Sequence, residues 1–276
     1  VGDMESDAVA HVAVDVHHQQ SASYLTDTAT LAATERSQQI VGVVGSHAVI
    51  VADGSHNSHH RRILMLVESK RQTVGDALRV LCVSLRDDGG TLQGIESEVF
   101  VVDNHSKDGS VDYLSKRFPG VNVIDSPHNL GFARANNLAI RKSHAEYVLL
   151  LNPDTVVGES TIRTAIDFMD AHEDAGSLGV RMLDASGKAA LESRRGLPSP
   201  MVAFYKMVGL CARFPKSHRF GHYYMSALPW DEPGRIEVVS GAFCLLRKKA
   251  IDEVGYLDED FFMYGEDIDL SYRILK

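Results

Sequence analysis

Between residues 98 and 155, short apolar runs alternate with amphipathic stretches, and that alternation predicts the fold. Glu98 to Asp103 (EVFVVD), Val121 to Ile124 and Tyr147 to Leu151 (YVLLL) read as strands. Ser110 to Phe118 and Phe132 to Ser143 read as the helices between them. Three strands alternating with two helices of this length predict a βαβαβ unit, and so a parallel sheet with right-handed crossovers. The run at Tyr147 is apolar throughout, which predicts a strand buried on both faces. It ends at Asn152-Pro153-Asp154-Thr155, where Pro153 cannot extend the ladder.

Downstream, Ser160 to His172 reads as an amphipathic helix and RMLDASGKAAL as a hairpin around Ala185 to Gly187. Ile236 to Leu246 reads as a strand interrupted at Ser240 and Gly241, and Lys248 to Val254 as a short helix. A last helix follows Gly265, with Ile268, Tyr272 and Leu275 predicted to share one side. Upstream of residue 92 the pattern is poor. Ile40 to Val51 reads as a strand, a Gly-Ser-His turn and a second strand; Ile63 to Val67 reads as another strand. Thr73 to Leu85 has helical spacing at Val74, Leu78, Leu81 and Leu85, ended by Asp87, Asp88, Gly89 and Gly90.

Composition narrows the function classes. With 276 residues and 44% hydrophobic content the chain can bury a sizeable core, and a net charge of -9 argues against a nucleic-acid surface. Cys82, Cys211 and Cys244 form no CxxC pattern, so neither a disulfide framework nor a zinc site is indicated, and a reducing cytosol fits best. The longest apolar stretch, Ile40 to Ala52, is too short to span a membrane and carries Ser46 and His47. No basic region followed by an apolar one opens the chain, so no signal peptide is read. Seven of the 13 histidines (His11, His17, His18, His47, His56, His59 and His60) fall in the first 60 residues, without ligand spacing.

Three polar clusters fall at the carboxyl ends of successive strands: Asp103 with Asn104, Asn129 with Arg134, and Asn152 with Asp154. That edge is where open α/β sheets bind ligands. Asp103 leads into DNHSKDGS, a loop containing Asp108 whose carboxylates can accept from a base N–H or a ribose hydroxyl. Arg134 sits in a first helical turn, where its fork can reach a base or a phosphate; a surface salt bridge is the plain alternative. Asp154 offers a hard oxygen to Mg²⁺ or Mn²⁺. Nucleoside, phosphate and metal together describe a site for a nucleotide-diphosphate donor.

Two later stretches add chemistry. Ser193 to Tyr224 mixes Arg, Lys and aromatic residues, a texture that suits a mobile lid over phosphates, a patch touching anionic membrane, or a solvated loop packed by its own aromatics. Six acids fall between Asp258 and Asp269, interleaved with Phe261, Phe262, Met263 and Tyr264, too apolar a setting for a solvated acidic face. Glu266 and Asp267 open the last helix, and a carboxylate there can take a proton from a hydroxyl.

VVDNHSKDGS, NLGFARANN, LLLNPDT, VVSGAFCLLRKKAIDEVGYLDEDFF and MYGEDIDLSYR, in that order, resemble a family 2 glycosyltransferase of the GT-A fold, in its bacterial rhamnosyltransferase-like group, over about residues 92–276. The resemblance implies an inverting glycosyltransferase moving a hexosyl or rhamnosyl group from a UDP- or dTDP-linked donor to a glycan or lipid-linked acceptor. Cell-wall or polysaccharide biosynthesis is its setting, in the cytoplasm or at the inner face of the membrane. By position it implies donor contacts at Asp103, Asn104, Asp108, Asn129, Arg134 and Asn152, with Asp154 as metal ligand for Mg²⁺ or Mn²⁺. Asp267, with Glu266 beside it, is implied as catalytic base, and Gly241 and Asp269 lie toward the acceptor. Asn152 stands where the family has an acid. Two other classes stay open: a nucleotide-sugar-binding protein without transfer activity, and a nucleotidyltransferase, for which no Gly-rich basic loop is visible.

Family members open with a strand of the type VVIVNYN, whereas this chain has MLVESKRQTVGDALRV in that interval and stops just after the Glu-Asp helix. The reading therefore expects an atypical segment over residues 1–91, a sheet short of its first strand, and a truncated C-terminal side. The histidine-rich texture upstream is what translation in a shifted frame would give. Translating the encoding DNA for residues 60–92 in the other two frames is expected to reveal a VVIVNYN-like strand; finding none would remove that explanation.

Overall fold

The computed structural model describes the backbone of residues 8–17, 47–54 and 61–68, residue 95, and residues 97–276 apart from 153, 154, 156, 159, 185 and 186. The βαβαβ unit is present. Strand β4 (Ser97–Asp103), helix α1 (Ser110–Arg117), strand β5 (Asn122–Asp125), helix α2 (Phe132–Ile140) and strand β6 (Tyr147–Leu151) follow one another as the apolar pattern predicts. β5 begins one residue late, and α2 ends three residues early because Lys142 N–H donates to Ala139 O and closes the turn. All five residues of β6 are buried.

Helix α3 (Thr161–Ala171) leads into β7 (Ala175–Leu183), a strand the sequence reading missed. Asp184 and Lys188 close the expected hairpin turn, and Leu183 bridges Ala189 antiparallel. The stretch expected as one interrupted strand divides between two sheets. β10 (Val238–Val239) pairs antiparallel with β8 (Arg194–Arg195), while β11 (Phe243–Arg247) lies antiparallel between β6 and β7. Phe243 N–H donates to Ser240 O at 3.3 Å, so Ser240 and Gly241 form the turn that moves the chain between sheets.

Three strands come from residues 1–91: β1 (Ala8–His17), β2 (His47–Gly54) and β3 (Arg61–Glu68). β1 lies parallel to β7 and antiparallel to β9 (Gly234–Arg235), and β2 is antiparallel to both β3 and β6. β3 runs parallel to β4 and to β6. The place expected to lack a strand is thus taken by β3, whose apolar ILMLV supplies the ladder groups without the family's letters. The segments 40–46, 69–91 and the histidines at positions 18, 56, 59 and 60 lie outside the described residues.

At the amino end of β6 the contacts are structural. Arg247 Nη1 donates to Tyr147 Oη at 3.0 Å and its Nη2 to Met169 O at 2.7 Å, and Tyr147 donates to Asp170 at 2.8 Å. A half-buried guanidinium that donates to several acceptors is satisfied there, so this end locks β6, β11 and α3 together.

The other end receives the stretch before the last helix. Asn137 on α2 is fully buried; its amide donates to Leu257 O at 2.8 Å and to Glu259 Oε1 at 3.0 Å, and its carbonyl accepts from Leu257 N–H at 3.2 Å. Arg141 donates to Glu259 at 2.8 Å. α6 (Lys248–Val254) and α7 (Glu266–Ile274) flank this clamp. The face of α7 differs from expectation: Glu266, Leu270, Ser271 and Ile274 are buried, whereas Tyr272 is 42% exposed. Spacing of four along Glu266, Leu270 and Ile274 defines the inward stripe, and a carboxylate at its head hid it from an apolar count.

The Asn137 hydrogen bond, opposed by partial burial and assisted by Arg141 and Arg134, holds the Glu259 carboxyl below its ordinary value. A depressed carboxyl contributes its stability above the unfolded-state value and loses it as pH falls through the folded-state value. Thermal unfolding of the wild type and Glu259→Gln is therefore expected to show a wild-type advantage at neutral pH that disappears below about pH 4. An advantage of constant size across that range would contradict the clamp.

Candidate functional site

The three predicted clusters lie on one sheet edge, and two of them join directly. Asp103 ends β4 with its side chain buried, accepting from Ser106 N–H at 2.7 Å, and it is level with Asp125 at the end of β5. Asn104 follows, also buried. Its amide donates to Asn129 Oδ1 at 2.9 Å, and its carbonyl accepts from Leu130 N–H at 2.7 Å. Asn129 also accepts from Gly131 N–H at 2.9 Å. Two side-chain amides thus fix the loops after β4 and β5 to each other, which rigidifies the floor of this edge.

Gly131 sits at the head of α2 with φ 78°, and a Cβ there would lie 2.4 Å from Phe262 O. Only glycine allows that approach, and Phe132 N–H uses it to donate to Phe262 O at 2.9 Å. The pocket floor and the aromatic stretch before α7 are therefore in contact. Phe262 and Tyr264 are exposed, and Gly265, with φ 104°, packs against the Phe261 ring where a Cβ would meet it at 2.8 Å.

Asn152 leaves β6 buried, its backbone N–H donating to Ala242 O at 3.0 Å. Its Oδ1 and the Oγ1 of Thr155 are both buried without a hydrogen-bond partner among the described residues. Buried oxygens without partners carry a desolvation cost that a bound cation or ligand would offset. Asp154, between them, lies outside the described residues. Gly241, in the turn beside Ala242, would place a Cβ at an ordinary 3.5 Å from Phe132 Cζ, so packing alone does not demand glycine there.

The three acids of the first turn of α7 part company. Glu266 is buried. Asp267 is one-fifth exposed and forms an ion pair with Arg195 of β8, while its Oδ1 accepts from Ile268 N–H at 2.8 Å. Its negative charge also reaches Cys244, whose thiol is pushed up first by burial and then by Asp267. Asp269 turns to Arg273, accepting at 2.7 and 2.8 Å, and Arg273 in turn donates to the carbonyls of Val254, Gly255 and Tyr256. Asp269 thereby braces the end of α6 through Arg273.

Other predicted donor residues are placed on the rim. Arg134 is exposed, donating to Glu259 O at 3.2 Å and lying 3.9 Å from the Glu259 carboxylate, the salt bridge that sequence left as its alternative. Asp108 is exposed and accepts from Ser110 N–H at 3.1 Å at the start of α1, as a helix cap does.

Arg195 is the residue sequence reasoning missed. It is 72 positions from Asp267, and it arrives because β8 pairs with β10, whose Val239 N–H donates to Ser271 of α7 at 3.3 Å. Its neighbour Arg194 is buried, stacked 3.6 Å over Trp230 and donating to Leu228 O and Pro229 O; burial lowers its guanidinium to about 10, still charged at neutral pH. Among the described residues no group of three His, Cys, Asp or Glu side chains is arranged to hold a metal ion.

Residues 71–255 match the family model described as glycosyl transferase family 2. The match starts at residue 71, upstream of the motifs legible from Leu92. The chain is 30% identical over 190 residues to the N-acetylglucosaminyl-diphospho-decaprenol L-rhamnosyltransferase of Mycobacterium tuberculosis, covering 64% of this chain and 61% of that protein. It is 27% identical over 216 residues to the low-salt glycan biosynthesis hexosyltransferase Agl10 of Haloferax volcanii, covering 74% and 63%. Among solved structures, Staphylococcus aureus TarS 1-349 aligns with a TM-score of 0.47 and 18% identity, over 77% of this chain and 54% of that one. The chain thus spans less than two thirds of the length of these curated relatives. The family match takes in β4 to β11 with the joined loops at their ends, and this chain belongs to glycosyl transferase family 2, with the α/β GT-A fold.

Proposed function

We infer that this chain transfers a hexosyl or rhamnosyl group, with inversion, from a UDP- or dTDP-linked donor to a hydroxyl of a glycan or lipid-linked acceptor. The observation that carries the reading is the junction of Gly131 with Phe262, which brings the Asp103, Asn104 and Asn129 floor against the stretch that opens the Asp267 helix. The family match and the rhamnosyltransferase and hexosyltransferase relatives support it, with cell-wall or polysaccharide biosynthesis as the setting.

In this mechanism Asp103 accepts from the nucleotide and the Asn104–Asn129 pair holds the loops that surround it. The acceptor oxygen attacks the anomeric carbon from the face opposite the diphosphate. A carbon–oxygen bond to the acceptor forms, the bond to the diphosphate oxygen breaks, and the nucleoside diphosphate leaves with the electron pair. Asp267 takes the acceptor proton. Arg195 acts through Asp267, fixing the orientation of its carboxylate. Asn152 Oδ1 and Asp154 are the oxygens that would hold Mg²⁺ or Mn²⁺, and the partnerless state of Asn152 Oδ1 among the described residues fits that use. When bound, the cation would supply positive charge toward the diphosphate.

The ion pair on Asp267 also favours a second reading, a donor-binding protein in which Arg195 keeps the base occupied and transfer does not proceed. Turnover separates the two. Asp267→Asn is expected to leave donor affinity in place and cut turnover by about 10²-fold or more. Arg195→Leu is expected to lower kcat with donor affinity unchanged, and Arg195→Lys to recover part of it; a rise in kcat on removing Arg195 would favour the second reading. Asp154→Ala is expected to abolish the Mg²⁺ or Mn²⁺ dependence of donor binding, and undiminished metal-dependent binding would move the metal elsewhere.

A further inference from the structure

Between β8 and β10 the chain makes an excursion that the donor site does not use. It contains α4 (Pro200–Met207), α5 (Leu210–Arg213) and a short turn of helix at His222–Tyr224. Its inner side is built from its own aromatics. Tyr205 is buried and meets Phe220 edge-on at 5.0 Å, Arg219 donates to Tyr205 Oη at 2.8 Å, and Lys206 lies 3.6 Å over Tyr223. This matches the reading of Ser193 to Tyr224 as a stretch packed by its own aromatics, now with helices in it.

Its outer side is the unusual part. Met201 is 55% exposed, Phe204 47%, Met207 78% and Val208 48%. At 100° per residue these four positions fall within about one third of the helix circumference, with Tyr205 turned inward beside them. Phe214, after α5, adds a further exposed ring at 45%. An apolar stripe of this kind on a single short helix marks an interaction surface.

Charge identifies the partner. The chain carries a net charge of -9, yet from Ser193 to Trp230 there is no Asp or Glu at all, while Arg194, Arg195, Lys206, Arg213, Lys216 and Arg219 are all basic. Lys206, Arg213, Lys216 and Arg219 are carried by the excursion itself, and Lys206, Arg213 and Lys216 are exposed. An apolar stripe with cations on the same excursion, within an otherwise acidic chain, is complementary to an anionic bilayer.

We propose that the outer face of α4, with Phe214 and the basic residues around it, docks this chain onto an anionic phospholipid bilayer. Met201, Phe204, Met207 and Val208 enter the headgroup boundary, and Arg213 and Lys216 lie against lipid phosphates. The root of the excursion fixes where the bilayer stands relative to the site. Leu197 N–H donates to Glu237 at 2.6 Å, His222 pairs with the same carboxylate at 3.0 Å, and Gly196, where a Cβ would lie 2.5 Å from His222 O, follows directly on Arg195, the partner of Asp267. The docking stands apart from the chemistry: failure to bind vesicles leaves the donor reading untouched, and failure to transfer sugar leaves the docking untouched.

The test is co-sedimentation of the full chain with phosphatidylcholine vesicles, with and without about one third phosphatidylglycerol, at low and high salt. Binding is expected with the anionic vesicles only, weakened by salt. Met207→Glu is expected to abolish it, and Arg213→Gln with Lys216→Gln to weaken it by roughly tenfold or more, since each basic side chain near an anionic surface contributes about a fivefold factor. All three positions are exposed, and an unchanged unfolding temperature checks that the variants fold. Absence of binding, equal binding to neutral vesicles, or binding indifferent to Met207→Glu would overturn the proposal. So would self-association lost in Met207→Glu without vesicle binding, which would give the surface to a second copy of this chain.

Discussion

The site depends on one close approach of two backbones. Gly131 brings the head of α2 against the carbonyl of Phe262, and no residue with a side chain allows it. Asn137, further along α2, and Arg141 at its end hold the same stretch through Leu257 and Glu259, so the segment from Leu257 to Phe262 is fixed before α7 begins. Where α7 begins decides where Asp267 stands. The loops at the strand ends and the stretch that opens α7 are joined through this contact. Errors of about an ångström in such placement are enough to cost much of a rate.

The acidic cluster at the start of α7 shows how one local composition supports three tasks. A helix N-terminus favours negative charge, which allows three carboxylates in a single turn. Their partners then divide them. Asp269 is spent on Arg273 and the end of α6, Glu266 is buried in the inward stripe, and Asp267 keeps partial exposure beside Arg195. The same logic separates the arginines: Arg194 serves Trp230 and two carbonyls, while Arg195, its neighbour on a two-residue strand, points to the site.

The sequence made the βαβαβ unit legible because EVFVVD and YVLLL are apolar without interruption and are followed by Asn, Asp and Gly at the binding edge. It hid β7, whose Gly176, Ser177 and Gly179 weaken the strand signal; Gly179 is small because a Cβ there would lie 2.9 Å from Val239 Cγ1. It ran β10 and β11 together, since Val238 to Leu246 stays apolar across a turn that changes sheets. Asp103, Asn104 and Asn129 were readable from their position after strands, whereas the pairing of Arg195 with Asp267 and of Asp269 with Arg273 was not. Those contacts are set by how β8 meets α7 and how α6 packs on α7, which no local spacing records.

The central claim is that the joined strand ends bind a nucleotide sugar and release its nucleoside diphosphate. The most direct measurement is product analysis of the full chain with Mg²⁺, a panel of UDP-, dTDP- and GDP-sugars, and mixed glycan and lipid-linked acceptors. The account predicts acceptor-dependent release of a nucleoside diphosphate from at least one UDP- or dTDP-sugar, with the sugar recovered on the acceptor in inverted configuration. Release of pyrophosphate, or transfer with retained configuration, would contradict it.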